Sequence, residues 1–233
     1  MIQWTHPIWS TGVKSMSLRE EIDRLLSENR YEELVERALQ NQGIIKFLFR
    51  FFYHPYGVQR WQAIEGLGRV AEALVQKDPE AVREIIRRLL WSMNDESGTA
   101  GWSAPEAIGE IIYRNPELFK DFVPIVINAS EEEIFHRGIA WALGRIGQKR
   151  PDLVQESIPL LLEFLHHPRA EVRGYAARSL GQIGPAAGQA LPGLEQLLDD
   201  RTEVEVYEGN QVVTLQVHQL AREAISKITG EAS

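Results

Sequence analysis

Apolar residues recur at helical spacing almost throughout this chain, and the pattern predicts a succession of helices. Ser17 to Leu26 opens the first, with Ser17 three residues before Glu20 in a capping-box arrangement and Ile22, Leu25 and Leu26 on one face. Tyr31 to Gln40 follows, with Leu34, Val35 and Ala38 together, and Gly43 ends it. From Ile44 to Phe52 the residues are Ile, Leu and Phe on nearly every face, which predicts a buried helix.

Beyond residue 57 five stretches can be laid over one another: 58–70, 101–111, 135–146, 172–183 and 217–228. Each closes on a small residue at one register, at Gly68, Gly109, Gly144, Gly181 and Ser226. Spacings of 35 to 45 residues are those of stacked helix pairs. Glycine inside a helix costs about 1 kcal/mol relative to alanine, so four at one register predict close approach of a neighbouring helix. Asp78-Pro79, Asn115-Pro116 and Arg150-Pro151 mark the starts of the intervening helices, since proline is tolerated at the first helical position. The predicted pairs are 78–92 with 102–113, 115–128 with 131–147, 151–165 with 168–183, and 187–198 with 215–229. One segment breaks the period. Glu203 to Leu215 alternates, with β-branched Val204, Val206, Val212 and Thr214 about a Gly209-Asn210 turn, and predicts an inserted hairpin.

The endings Ala142-Leu-Gly-Arg-Ile-Gly147 and Ser179-Leu-Gly-Gln-Ile-Gly184, with Val172-Arg173 upstream, resemble the HEAT-repeat superfamily, in particular the short repeats of phycobilin-lyase-like proteins. The resemblance covers roughly residues 44 to 229. It implies an all-α, right-handed α-α superhelical solenoid of the HEAT/ARM type, interrupted by the hairpin near 203–215. The expected organisation is an N-terminal arm, 1–16, and a single repeat domain, 17–233. Function is far less specified, because such repeats serve scaffolds and enzymes alike.

Composition narrows the options. With no cysteine, disulfides, thiolate metal sites and cysteine nucleophiles are excluded. A net charge of -8 argues against broad nucleic-acid binding, whose affinity comes largely from Lys and Arg on phosphates. The arm, with Trp4, His6, Pro7 and Trp9, lacks the pattern of a signal peptide, and no apolar run reaches the roughly 18 residues of a membrane span. A cytoplasmic chain without a membrane segment is expected.

The candidate chemistry lies on the second helix of each pair, which the resemblance places on the concave face. Residues four apart share a face, giving the rows Trp61-Glu65-Arg69, Trp102-Glu106-Glu110, Arg137-Trp141-Arg145, Gly174-Arg178-Gln182 and Gln219-Glu223-Lys227. Aromatics beside opposite charges suit a recognition groove, so Trp61, Glu65, Trp102, Glu106, Arg137, Trp141, Arg145 and Arg178 are the expected binding residues for a protein or peptide. Structural accounts compete: Ser103 and Glu106 have capping-box spacing, and the charged rows suit ion pairs between adjacent helices.

The stretch 91–111 is the least repeat-like, and its Asp95, Glu106 and Glu110, joined by His136, are the catalytic candidates if the chain is an enzyme. Clustered carboxylates can share a proton or bind a hard cation, but no metal-ligand spacing accompanies them, and neither a metal nor a cofactor is expected. The enzymatic alternative, implied by the resemblance, is an alkylpurine DNA glycosylase-like or bilin-lyase-like protein with a site around Trp91, Asp95, Glu106 and Arg145. The favoured reading is a non-catalytic binding scaffold.

Overall fold

A computed structural model describes residues 16–94 and 101–230. The N-terminal helices are α1 (Leu18–Ser27), α2 (Tyr31–Gln40), the short α3 (Ile45–Phe49) and α4 (Val58–Leu74). Then come α5 (Pro79–Met93), α6 (Ala104–Arg114), α7 (Pro116–Phe119), α8 (Val123–Asn128) and α9 (His136–Gly147). The remaining elements are α10 (Ile158–Phe164), α11 (Ala170–Ile183), α12 (Leu191–Gln196), the strands β1 (Glu203–Glu208) and β2 (Gln211–Gln216), and α13 (Val217–Thr229). This is the expected all-α solenoid with one β-hairpin. The expected N-terminal arm lies outside the described residues except for Met16.

The inner layer is a ladder in which α4, α6, α9, α11 and α13 each pack on the next, with α2 continuing it on the N-terminal side. The shared glycines are the rungs. A Cβ at Gly109 would stand 2.7 Å from the Cα of Ala142, and one at Gly181 would stand 2.6 Å from the Cα of Ala224. Backbone therefore meets backbone two residues before the next small residue of the register, Gly144 or Ser226, an approach that any side chain would block.

Helix starts follow the sequence in part. Ser17 and Glu20 form the expected capping box, and the Asp78 carboxylate accepts from the Ala81 N–H before Pro79. Asn115 and Arg150 make no such side-chain cap. The outer layer departs from expectation more clearly. The outer segments predicted over 115–128, 151–165 and 187–198 are short α and 3-10 pieces rather than continuous helices. Each holds a proline, Pro124, Pro159 or Pro192, at the start of its α-helical part. A proline inside a continuing helix removes one hydrogen bond and clashes with the preceding turn, so the chain restarts there. The helix expected from 131 likewise begins only at His136, after two 3-10 turns.

The hairpin forms in the expected place. Gly209 and Asn210 both have positive φ, +57° and +65°, as a two-residue hairpin turn of this hand demands. Val204 and Val206 bury one face of β1, and Val204 fills space left by Gly174 on α11. The Tyr175 hydroxyl donates to the Glu205 carbonyl at 3.1 Å, holding the strand along α11. A continuous apolar core runs from Ile22 to Ile228.

Candidate functional site

The repeat register brings one row of side chains to a common hollow. Trp61 and Glu65 from α4, Glu110 from α6, Trp141 and Arg145 from α9, and Arg178 and Gln182 from α11 line a cavity of ≈ 270 Å³. Gln148, just past α9, and the hairpin residues Tyr207, Glu208 and Asn210 complete it. The expected convergence of Trp61, Glu65, Trp141, Arg145 and Arg178 is present. Trp61, however, is only 3% exposed. Its ring stacks on Tyr207 at 5.2 Å with an interplanar angle of 10°, and lies 5.2 Å from Trp141 and 6.4 Å from Tyr175. An aromatic cluster thus fills the middle of the hollow, and Trp61 is its centre rather than an open groove wall.

The other part of the expected row is buried one turn away. Glu106 is fully buried and Arg60 and Arg137 nearly so. Arg60 Nη1 donates to Glu106 Oε1 at 2.9 Å and to Ser103 Oγ at 3.1 Å, while Arg137 Nη2 lies 3.7 Å from Glu106 and donates to the Pro55 carbonyl. Burial lowers the pKa of Arg60, against the pull of Glu106. The capping-box account of Glu106 fails with this, because Ser103 spends its hydroxyl on Arg60 and the His54 carbonyl and makes no cap bond. Glu106 and Arg137 are internal ion-pair partners and are not available as surface binding residues. Trp102 is half-buried in the turn before α6 and lies outside the cavity lining.

Glu110, also buried, accepts from Arg145 at 2.7 Å and from Arg114 at 2.7 Å. Arg114 continues to Glu72, and the Arg145 guanidinium lies 3.7 Å over the Tyr113 ring. Glu65 is held by Arg69 at 2.8 Å. The charged rows are therefore ion pairs within and between neighbouring inner helices, as the structural account had it, yet Arg145 and Arg178 still present their edges to the cavity. Burial, helped by Glu65, pushes the Tyr207 phenol up to about 12.

The catalytic candidates do not converge among the described residues. Asp95 lies outside them. His136 engages His167 at 3.2 Å and the Ser130 carbonyl at 2.8 Å, away from the two glutamates, which different arginines hold. Trp91 stands 73% exposed on α5, whereas Glu106 is fully buried against Arg60 and Arg145 pairs with Glu110. No group of three or more potential metal-ligating side chains occurs among the described residues.

Sequence reasoning missed Arg60, Gln148, Tyr175 and the hairpin tip. Arg60 sits one position off the aligned row and carries no periodic signal. Tyr207 did carry one: an aromatic next to a Glu-Gly-Asn turn has no core role in an isolated hairpin, so it needs a partner elsewhere.

Residues 119–208 match a family model described as HEAT repeats. A protein of Archaeoglobus fulgidus, described only as an uncharacterized protein, is 28% identical over 179 residues, covering 74% of this chain and 91% of the relative. The crystal structure of an engineered protein resembles this one with a TM-score of 0.47 at 19% identity, covering 92% of this chain and 98% of that one. A second engineered protein gives 0.46 at 17% identity, over 94% of this chain and 56% of its own. The matched stretch runs from the end of α7 to the end of β1, and the same ladder of inner helices continues on both sides of it, so the chain is similar to HEAT repeats there and keeps that architecture beyond.

Proposed function

We propose that this chain is a non-catalytic binding module that takes an extended peptide segment of a partner protein in the hollow along α9 and α11. The observation that carries this reading is the lining itself: Trp141, Arg145 and Gln148 on one side, Arg178 and Gln182 on the other. A side-chain amide offers both donor and acceptor, matching the N–H and C=O of an extended backbone, and the half-buried Trp141 supplies ring surface for a side chain. The carboxylates at the cavity, Glu65 and Glu110, are already committed to arginines, which favours a structural over an acid–base role. The continuous core supports residues 17–233 acting as one unit.

A displayed random-peptide library selected on the wild-type chain, and in parallel on Gln148→Ala/Gln182→Ala, tests the proposal. Both glutamines lie outside the core, so the variant keeps its fold. Peptides enriched on the wild type are expected to lose at least about tenfold in affinity for the variant. Equal enrichment on both proteins means that the hollow is structure only.

A further inference from the structure

The hairpin is anchored at its base and lightly held at its tip. Val204 and Val206 are buried, whereas Glu208, Gly209 and Asn210 are exposed. On the concave face the tip makes three recognisable contacts: the Tyr207 ring on Trp61, the Tyr207 hydroxyl with that of Tyr31, and Glu208 to Arg178 Nη2 at 3.2 Å. Glu208 is half-exposed in that pair, and only one arm of the Arg178 guanidinium is used. Its Nη1 is buried and has no hydrogen-bond partner. Arginine binds carboxylate best through both arms at once, so this site is built for more than Glu208 supplies. Beside it, Arg145 and Trp141 line the same cavity.

We infer that the hairpin tip is an internal stand-in for the partner, and that the hollow recognises a peptide in which an aromatic residue is followed directly by an acidic one. The inference rests on the peptide-binding reading above and adds the chemistry of the peptide. Tyr207-Glu208 shows what the face accepts: a ring against the aromatic cluster and a carboxylate on Arg178. A partner bearing the same pair displaces the tip, turns its ring onto Trp61 and Trp141, and sets its carboxylate across both arms of Arg178. The tip and the partner then compete for one surface, so the apparent affinity of the partner falls by the fraction of molecules in which the tip is docked.

The probe is an acetylated, amidated peptide of sequence Val-Tyr-Glu-Gly, titrated by calorimetry into the full chain. Tyr207→Ser/Glu208→Ser clears the tip and is expected to bind the probe about tenfold more tightly than the wild type. Glu208→Gln, which leaves the ring stack and hairpin intact, is expected to give a smaller gain in the same direction and covers the case in which the double variant folds poorly. Changing the probe's Glu to Gln, or Arg178→Gln in the cleared protein, is expected to remove most of the binding. The inference is overturned if neither variant gains affinity, or if the Glu and Gln probes bind alike. Library peptides that depend on Gln148 and Gln182 but lack an aromatic–acidic pair overturn it too, while leaving the groove reading intact.

Discussion

Gly109 and Glu106 sit one turn apart on α6, and each shows why a residue that looks ordinary in sequence has no substitute in place. Gly109 exists for the approach of Ala142. Alanine there forces two helix backbones apart, so Gly109→Ala is expected to destabilise by about 1–3 kcal/mol in urea denaturation. Gly188, whose Cβ position meets nothing within 4 Å, is the control: Gly188→Ala should leave stability within about 1 kcal/mol, on either side of zero. A similar loss in both variants would remove the argument from close approach. Glu106 holds two buried arginines, and a Cβ on the facing Gly138 would stand 2.5 Å from its Oε2. Removing that charge leaves Arg60 and Arg137 buried and unmatched, so Glu106→Ala is expected to cost about 3–5 kcal/mol. Glu223 makes a comparable-looking pair with Lys227 at 2.5 Å, but both side chains are more than two-fifths exposed. Glu223→Ala should therefore cost less than about 1 kcal/mol. Sequence spacing put Glu106 and Glu223 at equivalent points of the second and fifth rows, and only their burial separates them.

Two junctions between elements carry titratable groups, and the sign of each pH effect follows from its hydrogen bonds. At the turns joining α8 to α9 and α10 to α11, the Arg169 N–H donates to His167 Nδ1, which places the neutral proton of His167 on Nε2. That proton points at His136 Nδ1, and His136 Nε2 donates to the Ser130 carbonyl. The chain is complete while His167 is neutral, and a second proton on its Nδ1 breaks the bond from Arg169. Burial, and then His136, hold the His167 pKa below the ordinary 6.5. Glu133, 3.8 Å away, pulls the other way, as does the backbone hydrogen bond from Arg169, while the charge of Arg169 adds a smaller lowering. The stabilisation is therefore whole above the unfolded value of 6.5 and is lost as pH falls toward the lower folded value. Denaturation midpoints should drop between about pH 7 and pH 5.5, and His167→Gln should flatten that drop; an equal drop in the variant would assign it to other groups. The hairpin responds at the other end of the scale. Its Tyr207 pKa is raised from 10.0 to about 12, so its stabilisation is complete below pH 10.0 and lost through about 12. Tyrosinate absorbance should show a late-titrating component that Trp61→Phe lowers. An unchanged profile would mean that the Trp61 stack does not shield that phenol. Neither junction was legible in the chain. The hairpin was, from its alternation and its Gly-Asn turn, but the pattern is silent on which surface its tip meets.

At the scale of the whole molecule, repeat spacing and proline positions were enough to place every inner helix, because each interface involves only neighbours in the stack. The curvature of the array is a different matter. It accumulates from small rotations at each interface, and no residue pattern reports it. That is why Trp61 read as one wall of an open groove and is instead buried at the centre. The consequence is a contact that ordinary solenoids lack. Tyr207, beside the last helix, stacks on Trp61 of α4, and Arg137 on α9 reaches the Pro55 carbonyl just before α4. In a solenoid whose repeats touch only their neighbours, the ends open independently. Here the ring stack couples the N-terminal and C-terminal units directly, so they should open together. Native-state hydrogen exchange in low urea is expected to give the slow amides of α4 and α13 the same opening free energy and urea slope in the wild-type chain. Tyr207→Ala removes the stack while keeping β1 anchored through Val204 and Val206, and it should let α13 open at lower free energy with a smaller slope than α4. Coincident exchange of the two helices in Tyr207→Ala would show that neighbour contacts alone bind the array into one cooperative unit.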